Sequence, residues 1–326
     1  MAPGPIARGG RVVTQGHQLF ADELTGLATQ NSDPRLATIA ADITAPLQVA
    51  VHGRRGVGRR TVAAALAAAG VRIAEQPGAA DTAELAVHVV AEVVKPEDTA
   101  ALHAARRRPV LVVLNKADVC GHDAAAMPVP VEPMSALFAL AARGDGLDDR
   151  LWDALGCLAA RPADLRSAEH FVSCPHPVPR QTRERLCATL ELSGIEALLD
   201  LSRRGATVAQ ARDRLCQLSG VDRVVARLEA MGAAVYHRRM SEAVTRLEAM
   251  AVGDSRIDEF LVGDTTVAAR LTAATAAIDV PDEPVLARAR RWQAHRSAPV
   301  GAAQRACAAD IARGSLRAWA TMRGRR

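Results

Sequence analysis

A chain of 326 residues with 49% hydrophobic content can bury a substantial core and suits two domains. Only 2% of the residues are aromatic, so alanine, leucine and valine must fill the interior. The net charge of +5 comes almost wholly from arginine that reads as dispersed, which permits contact with an acidic surface without demonstrating it.

The opening MAPGPIARGG holds no apolar signal core, and no uninterrupted apolar span reaches bilayer length anywhere in the chain. The expected location is therefore the cytoplasm. Residues 1–12 read as disordered. Two helical patterns follow, Gly16 to Thr29 and Asp33 to Ile43, the first with Leu19, Phe20, Leu24 and Leu27 at helical spacing. Asp33-Pro34 supplies the second with an N-cap and a proline at its first position.

From Leu47 to Leu66 the pattern is strand, glycine loop, helix. Leu47, Val49 and Val51 form a short apolar run, Gly53, Gly56 and Gly58 crowd the next positions, and an alanine-rich helix follows. In that context successive backbone N–H groups can wrap an anion at the helix N-terminus. Laid on the P-loop spacing G-x-x-x-x-G-K-[S/T], Gly53 and Gly58 fit, Arg59 stands for the phosphate lysine, and Arg60 stands for the metal-binding hydroxyl. Thr61 lies one position late. Arginine grips phosphate through its planar fork but is not a lysine point charge, and Arg60 cannot ligate magnesium.

Strands are expected at 47–52, 71–75, 84–94, 109–114 and 129–132, and helices at 61–69, 97–106 and 146–160. Alternation of this kind implies a doubly wound sheet with its ligand at the carboxyl ends of the strands. PVLVVL ends in Asn115-Lys116-Ala117-Asp118, the N-K-x-D guanine-reading sequence of GTPases. There Asp118 would accept from guanine N1 and the exocyclic amine, Asn115 would contact the base edge and brace the glycine loop, and the Lys116 stem would lie along the ring. The chain has only two asparagines, Asn31 and Asn115, and only two lysines, Lys95 and Lys116, so their meeting before x-Asp is informative. Ser135-Ala136 matches the S-A loop that backs the guanine ring. Glu75-Gln-Pro-Gly78 is similar to the D-T-P-G switch of dynamin-like GTPases, with glutamate for aspartate. Helix 61–69 runs almost directly into that strand, leaving no room for a switch I loop. Hydrolysis is weakened accordingly, because phosphoryl transfer depends on charge placed around the γ-phosphate.

Cysteines 120, 157, 174, 187, 216 and 307 are scattered, as expected of reduced and mostly buried thiols. Cys120/His122 and Cys174/His176 match no zinc spacing, so no metal site is expected. Arg106–Arg108 reads as a solvated helix end, and His52, His88 and His103 as packed or solvated. No catalytic residue, whether Ser/His/Asp or Cys/His, suggests itself. Beyond 163 the chain turns to helices after a stiff proline linker at 175–179. Capping boxes are expected at Ser193/Glu196, Ser219/Asp222 and Thr207/Gln210. Further helices are expected at 226–251, 255–275 and 283–322, the last broken near Pro299, with Trp292 and Trp319 anchoring it.

Helical pair, glycine loop, NKAD, S-A-L and a long helical region together resemble the bacterial dynamin-like GTPases, in particular the actinobacterial isoniazid-inducible proteins with their PL-x-V-A-V-x-G strand (Pro46–Gly53). The resemblance is firmest over 33–160. It implies an α/β P-loop GTPase-like doubly wound sheet plus an α-helical bundle domain, divided as 1–45, 46–162 and 163–326. It further implies GTP or GDP as cofactor, bound weakly or without magnesium, and hydrolysis that is weak or absent. A related GTPase or a second copy would be the partner, with peripheral contact at the inner membrane face. An active GTPase using Thr61 and a nucleotide-free scaffold are the alternatives. The basic sequence His237-Arg-Arg lacks the aromatic interleaving of a nucleic-acid surface, which argues against nucleic acid as a partner.

Overall fold

The computed structural model describes residues 9–74, 82–105, 108–119, 127–144 and 146–324. Glu75 and Gly78, Arg106 and Arg107, and Cys120 and His122 lie outside the described residues. The chain packs as two compact units, one of residues 47–227 and one of 1–46 with 228–326.

Unit 47–227 is built on a parallel sheet of four strands, β1 (Val49–Gly53), β2 (Leu85–Ala91), β3 (Val110–Asn115) and β4 (Glu132–Met134), in spatial order β1-β2-β3-β4. The register pairs Val51 with Val87, Val89 with Val113 and Asn115 with Met134. On the outer side of β1, Val49 also bridges Ile73 in parallel, through Val49 N–H to Arg72 O at 2.9 Å and Ala74 N–H to Val49 O at 3.0 Å. The β2 run LAVHVVA is buried almost without alternation, as parallel strands covered on both faces are. It stops at Ala91 instead of continuing to 94 because Glu92 takes φ 63° and Val93 folds back onto Ala91. The last strand sits at 132–134 rather than 129–132. Pro128 and Pro130 cannot donate to a ladder, and Pro133 is tolerated because β4 is an edge strand.

Around the sheet lie α3 (Arg59–Ala68), α4 (Pro96–Ala104), α5 (Ala136–Arg143) and α6 (Asp149–Ala160), the last capped by the Asp148 carboxylate accepting from Leu151 N–H. Helix α5 was not expected: Ser135-Ala136-Leu137 turns at once into an apolar helix, ALFALAAR. The expected boundary at 162/163 is not where packing divides. Helices α7 (Ala168–Ser173), α8 (Arg180–Arg203) and α9 (Val208–Ser219) share a core with α5 and α6, including Phe138, Leu151, Leu155, Phe171, Leu190, Leu198 and Leu215. Apolar stripes on α7–α9 that a separate domain would have to bury elsewhere are satisfied there. Of the expected capping boxes only Thr207/Gln210 forms as such. Ser193 lies within α8, two residues past a break at Glu191 (φ 53°, ψ −177°), and the Ser219 hydroxyl accepts from Val221 N–H.

The other unit contains α1 (Gly9–Asn31), α2 (Pro34–Thr44), residues from 228 of α10 (Val221–Ala251), α11 (Ser255–Val262), α12 (Asp264–Ala277), α13 (Val285–Arg296) and α14 (Ala302–Gly324). Residues 9–12, expected to be disordered, form the first turn of α1. Phe20, Leu24, Leu36, Ile39 and Ile43 pack with Met240, Val244, Leu247, Ile257 and Leu261. With few aromatics the helices must approach closely. A Cβ on Gly16 would sit 2.5 Å from the Ala273 nitrogen, so α1 and α12 touch backbone to backbone there. Among the described residues no helix is long and apolar enough to cross a membrane.

Candidate functional site

At the carboxyl ends of β1, β3 and β4 three segments converge. The first is the turn 54–58 between β1 and α3. Gly53 (φ 142°) and Gly58 (φ 88°) hold conformations that a side chain resists, and each is also sterically closed: a Cβ would fall 2.4 Å from Val89 O and 2.4 Å from Asn115 Nδ2 respectively. Gly56 (φ 87°) faces open space. Gly58 caps α3 without a side-chain bond, and the first turn bears exposed Arg59 and Arg60 with no acidic residue. The N–H groups of that turn have no acceptor within the helix, and the helix dipole adds partial positive charge. Thr61 is half-buried one position further on.

The second segment follows β3, and the third is the Ser135–Ala136 turn. Asn115 joins all three. Its amide Nδ2 donates to Val57 O at 2.9 Å, and its Oδ1 accepts from Ala136 N–H at 3.1 Å, both in the interior. Ser135 is buried and donates its N–H to Ser219 O at 2.8 Å. Lys116 is exposed and left-handed (φ 62°), starting the sharp turn closed by Val119 N–H to Lys116 O at 3.1 Å. Asp118 is half-buried, and its Oδ2 accepts a 2.6 Å hydrogen bond from Ser193 of α8. The sequence presents Ser193 only as a helix cap; at 75 positions from Asp118, nothing local signals the pairing.

Beside the glycine turn lies a cleft of about 520 Å³ lined by His52, Arg54, Arg59, His88, Asp98 and Arg108, among others. Asp98 organises it. Its solvent-inaccessible carboxylate accepts from Lys95 N–H at 3.0 Å, contacts His88 Nε2 at 3.0 Å and takes Arg54 Nε at 2.9 Å. Burial raises its pKa, but these donors together hold the carboxyl below the ordinary range. Arg54, the first residue of the turn, is thereby pinned to the start of α4. Arg108, expected as a solvated helix end, is half-buried, bonding Ala83 O at 3.3 Å and the His52 ring at 3.2 Å. His88 belongs to this polar network, a role that its place in an apolar strand conceals.

The helical unit holds a second network that the sequence does not announce. His237 Nε2 meets Asp310 at 3.0 Å, His237 Nδ1 meets Cys307 Sγ at 3.3 Å, and Arg270 Nε donates to Asp310 at 2.9 Å, all in the interior. The order resembles a Cys–His–Asp nucleophilic array, but burial pushes the Cys307 thiol up to about 12, which disfavours the nucleophilic thiolate. His176 bonds Arg161 O and Val178 N–H, not Cys174. Among the described residues no group of three or more His, Cys, Asp or Glu side chains is arranged to hold a metal ion.

No protein-family model matches the chain, and no curated protein matches it either.

Proposed function

We propose that unit 47–227 is a degenerate P-loop, dynamin-like guanine-nucleotide-binding module that hydrolyses GTP slowly or not at all and regulates a competent GTPase partner. The observation that carries this reading is the double bond of Asn115 to Val57 O and Ala136 N–H. It ties the glycine turn, the NKAD segment and the Ser-Ala turn into one site, which a coincidental motif has no reason to do. The parallel strand order supports it, because a crevice at the carboxyl ends of such strands is where nucleotides bind. In this reading the N–H groups of 56–61 with Arg59 and Arg60 cradle the phosphates, and Asp118 reads the guanine edge. The same residues explain weak turnover: Arg60 offers no hydroxyl to a metal, and Arg54 is committed to Asp98.

Calorimetric titration of GTP, GDP and ATP, each with magnesium and with EDTA, tests it on the wild type and on Asp118→Ala. The expected result is guanine-selective binding, indifferent to magnesium and lost in the variant. Absence of binding to the folded protein would overturn the reading, and strong magnesium dependence with turnover would replace it by an active GTPase.

A further inference from the structure

The cleft beside the glycine turn is larger than the nucleotide reading accounts for. Its floor is one face of the sheet. Ala86 and His88 share a side of β2, His52 of β1 pairs in register with His88, and Val110 of β3 pairs with Ala86. Its wall is α4. Leu102 seats that helix against Val90, Val112 and Leu114, while Ala101, Ala104 and Ala105, at i, i+3 and i+4, line the cleft. None of the three reaches past Cβ, so α4 leaves a cavity of about 520 Å³ against β1 and β2. That volume is the size of a small-molecule site.

The polar lining selects the charge of the ligand. Both Asp98 oxygens are already taken, Oδ1 by His88 and Arg54 and Oδ2 by Lys95 N–H and Arg54, which leaves little there for a cation. Glu97 is exposed to solvent. Arginine is what remains. Arg54 spends only Nε on Asp98, and among the described residues its two terminal nitrogens have no hydrogen bond. The exposed Arg59 side chain has neither an ion pair nor a hydrogen bond among the described residues. Arg108, held by Ala83 O and His52, bounds the cleft near the start of β3. A carboxylate offers two oxygens and is matched by one guanidinium fork. A phosphate monoester offers three oxygens and close to two negative charges, enough to use Arg54 and Arg59 together.

We propose that this cleft binds a small phosphate monoester, its phosphate on Arg54 and Arg59 and its body against the alanines of α4. The site shares Arg59 with the phosphate cradle assigned to the nucleotide but uses neither Asp118 nor Arg60, so either reading can fail alone.

Ligand-observed NMR titration of the full chain with phenyl phosphate, inorganic phosphate and benzoate tests it. Phenyl phosphate is expected to bind saturably, at least about tenfold more tightly than benzoate. Arg54→Lys keeps an ammonium for Asp98 but loses the terminal fork, and Arg59→Ser removes an exposed guanidinium; each should weaken phenyl phosphate about tenfold. Ala101→Leu, at an exposed position of α4, should fill the cleft and abolish phenyl phosphate binding while retaining that of inorganic phosphate. Asp118→Ala and Arg60→Ser should leave both unchanged. Thermal melts of Arg59→Ser and Ala101→Leu should match the wild type, since both positions are exposed. No binding to the folded protein, equal affinity for benzoate, or indifference to Ala101→Leu would overturn the proposal. So would loss of binding in Arg60→Ser, which would place the anion in the glycine turn instead.

Discussion

Asn115 makes its two bonds with one amide, so its loss is felt twice. Asn115→Ala strands the Val57 carbonyl and the Ala136 N–H in the interior, and an unmet buried polar group costs roughly 1–3 kcal/mol. The expected loss is about 2–5 kcal/mol in urea unfolding, with guanine binding abolished even where the variant stays folded. Ser193 acts at the other end of the motif. Its hydroxyl occupies one lone pair of Asp118 Oδ2 and leaves acceptor capacity on both oxygens, so in the proposed reading it fixes the carboxylate instead of blocking it. Bonds to charged acceptors are worth about 1.5–3 kcal/mol, and Ser193→Ala should lower GDP affinity at least about tenfold in calorimetry. An increase in affinity would identify Ser193 as a latch over the site. At this scale Asn115 was legible because asparagine and lysine are so rare in the chain that NKAD stands out. Ser193 was not, since its meaning depends on a break at Glu191, whose φ of 53° costs on the order of 1–3 kcal/mol and leaves no trace in composition.

Helices α10, α12 and α14 are joined by the His237–Asp310–Arg270 network, a contact between elements that periodicity cannot announce. The periodicity of α14 is that of an ordinary amphipathic helix, and Asp310 reads as one polar residue on it until Arg270 is brought alongside from 40 positions away. Helix existence was legible almost throughout; packing partners were not. Hence the sequence divides the chain before α7–α9 where packing keeps them in unit 47–227, and the single helix expected at 255–275 is two, broken at Gly263. Burial raises the pKa of Asp310, but the bond from His237 and the charge of Arg270 prevail and hold it below its ordinary value of 3.8. A depressed carboxylate stabilises the fold above that ordinary value and loses its contribution as pH falls through the folded one. Asp310→Asn leaves the Arg270 guanidinium buried without a counter-charge and should cost about 3–5 kcal/mol at neutral pH. Urea midpoints across an acid series check the sign: the gap between wild type and variant should shrink below about pH 4. In the same network Cys307 should resist a thiol reagent at pH 8 until the unit unfolds, whereas exposed Cys157 reacts at once.

Two compact units with separate cores give the whole molecule two places to store stability, and the proposed ligand touches only one of them. Every residue assigned to the nucleotide lies within 47–227. A ligand at about one hundred times its dissociation constant stabilises the state that binds it by about 2.7 kcal/mol. If the units unfold independently, GDP at that excess should slow amide hydrogen exchange by about a hundredfold in β1–β4 and α8, where opening runs through loss of the site. The amides of α1, α2 and α12 should be unchanged. Protection by GDP that reaches α14 would show instead that the two units do not open independently.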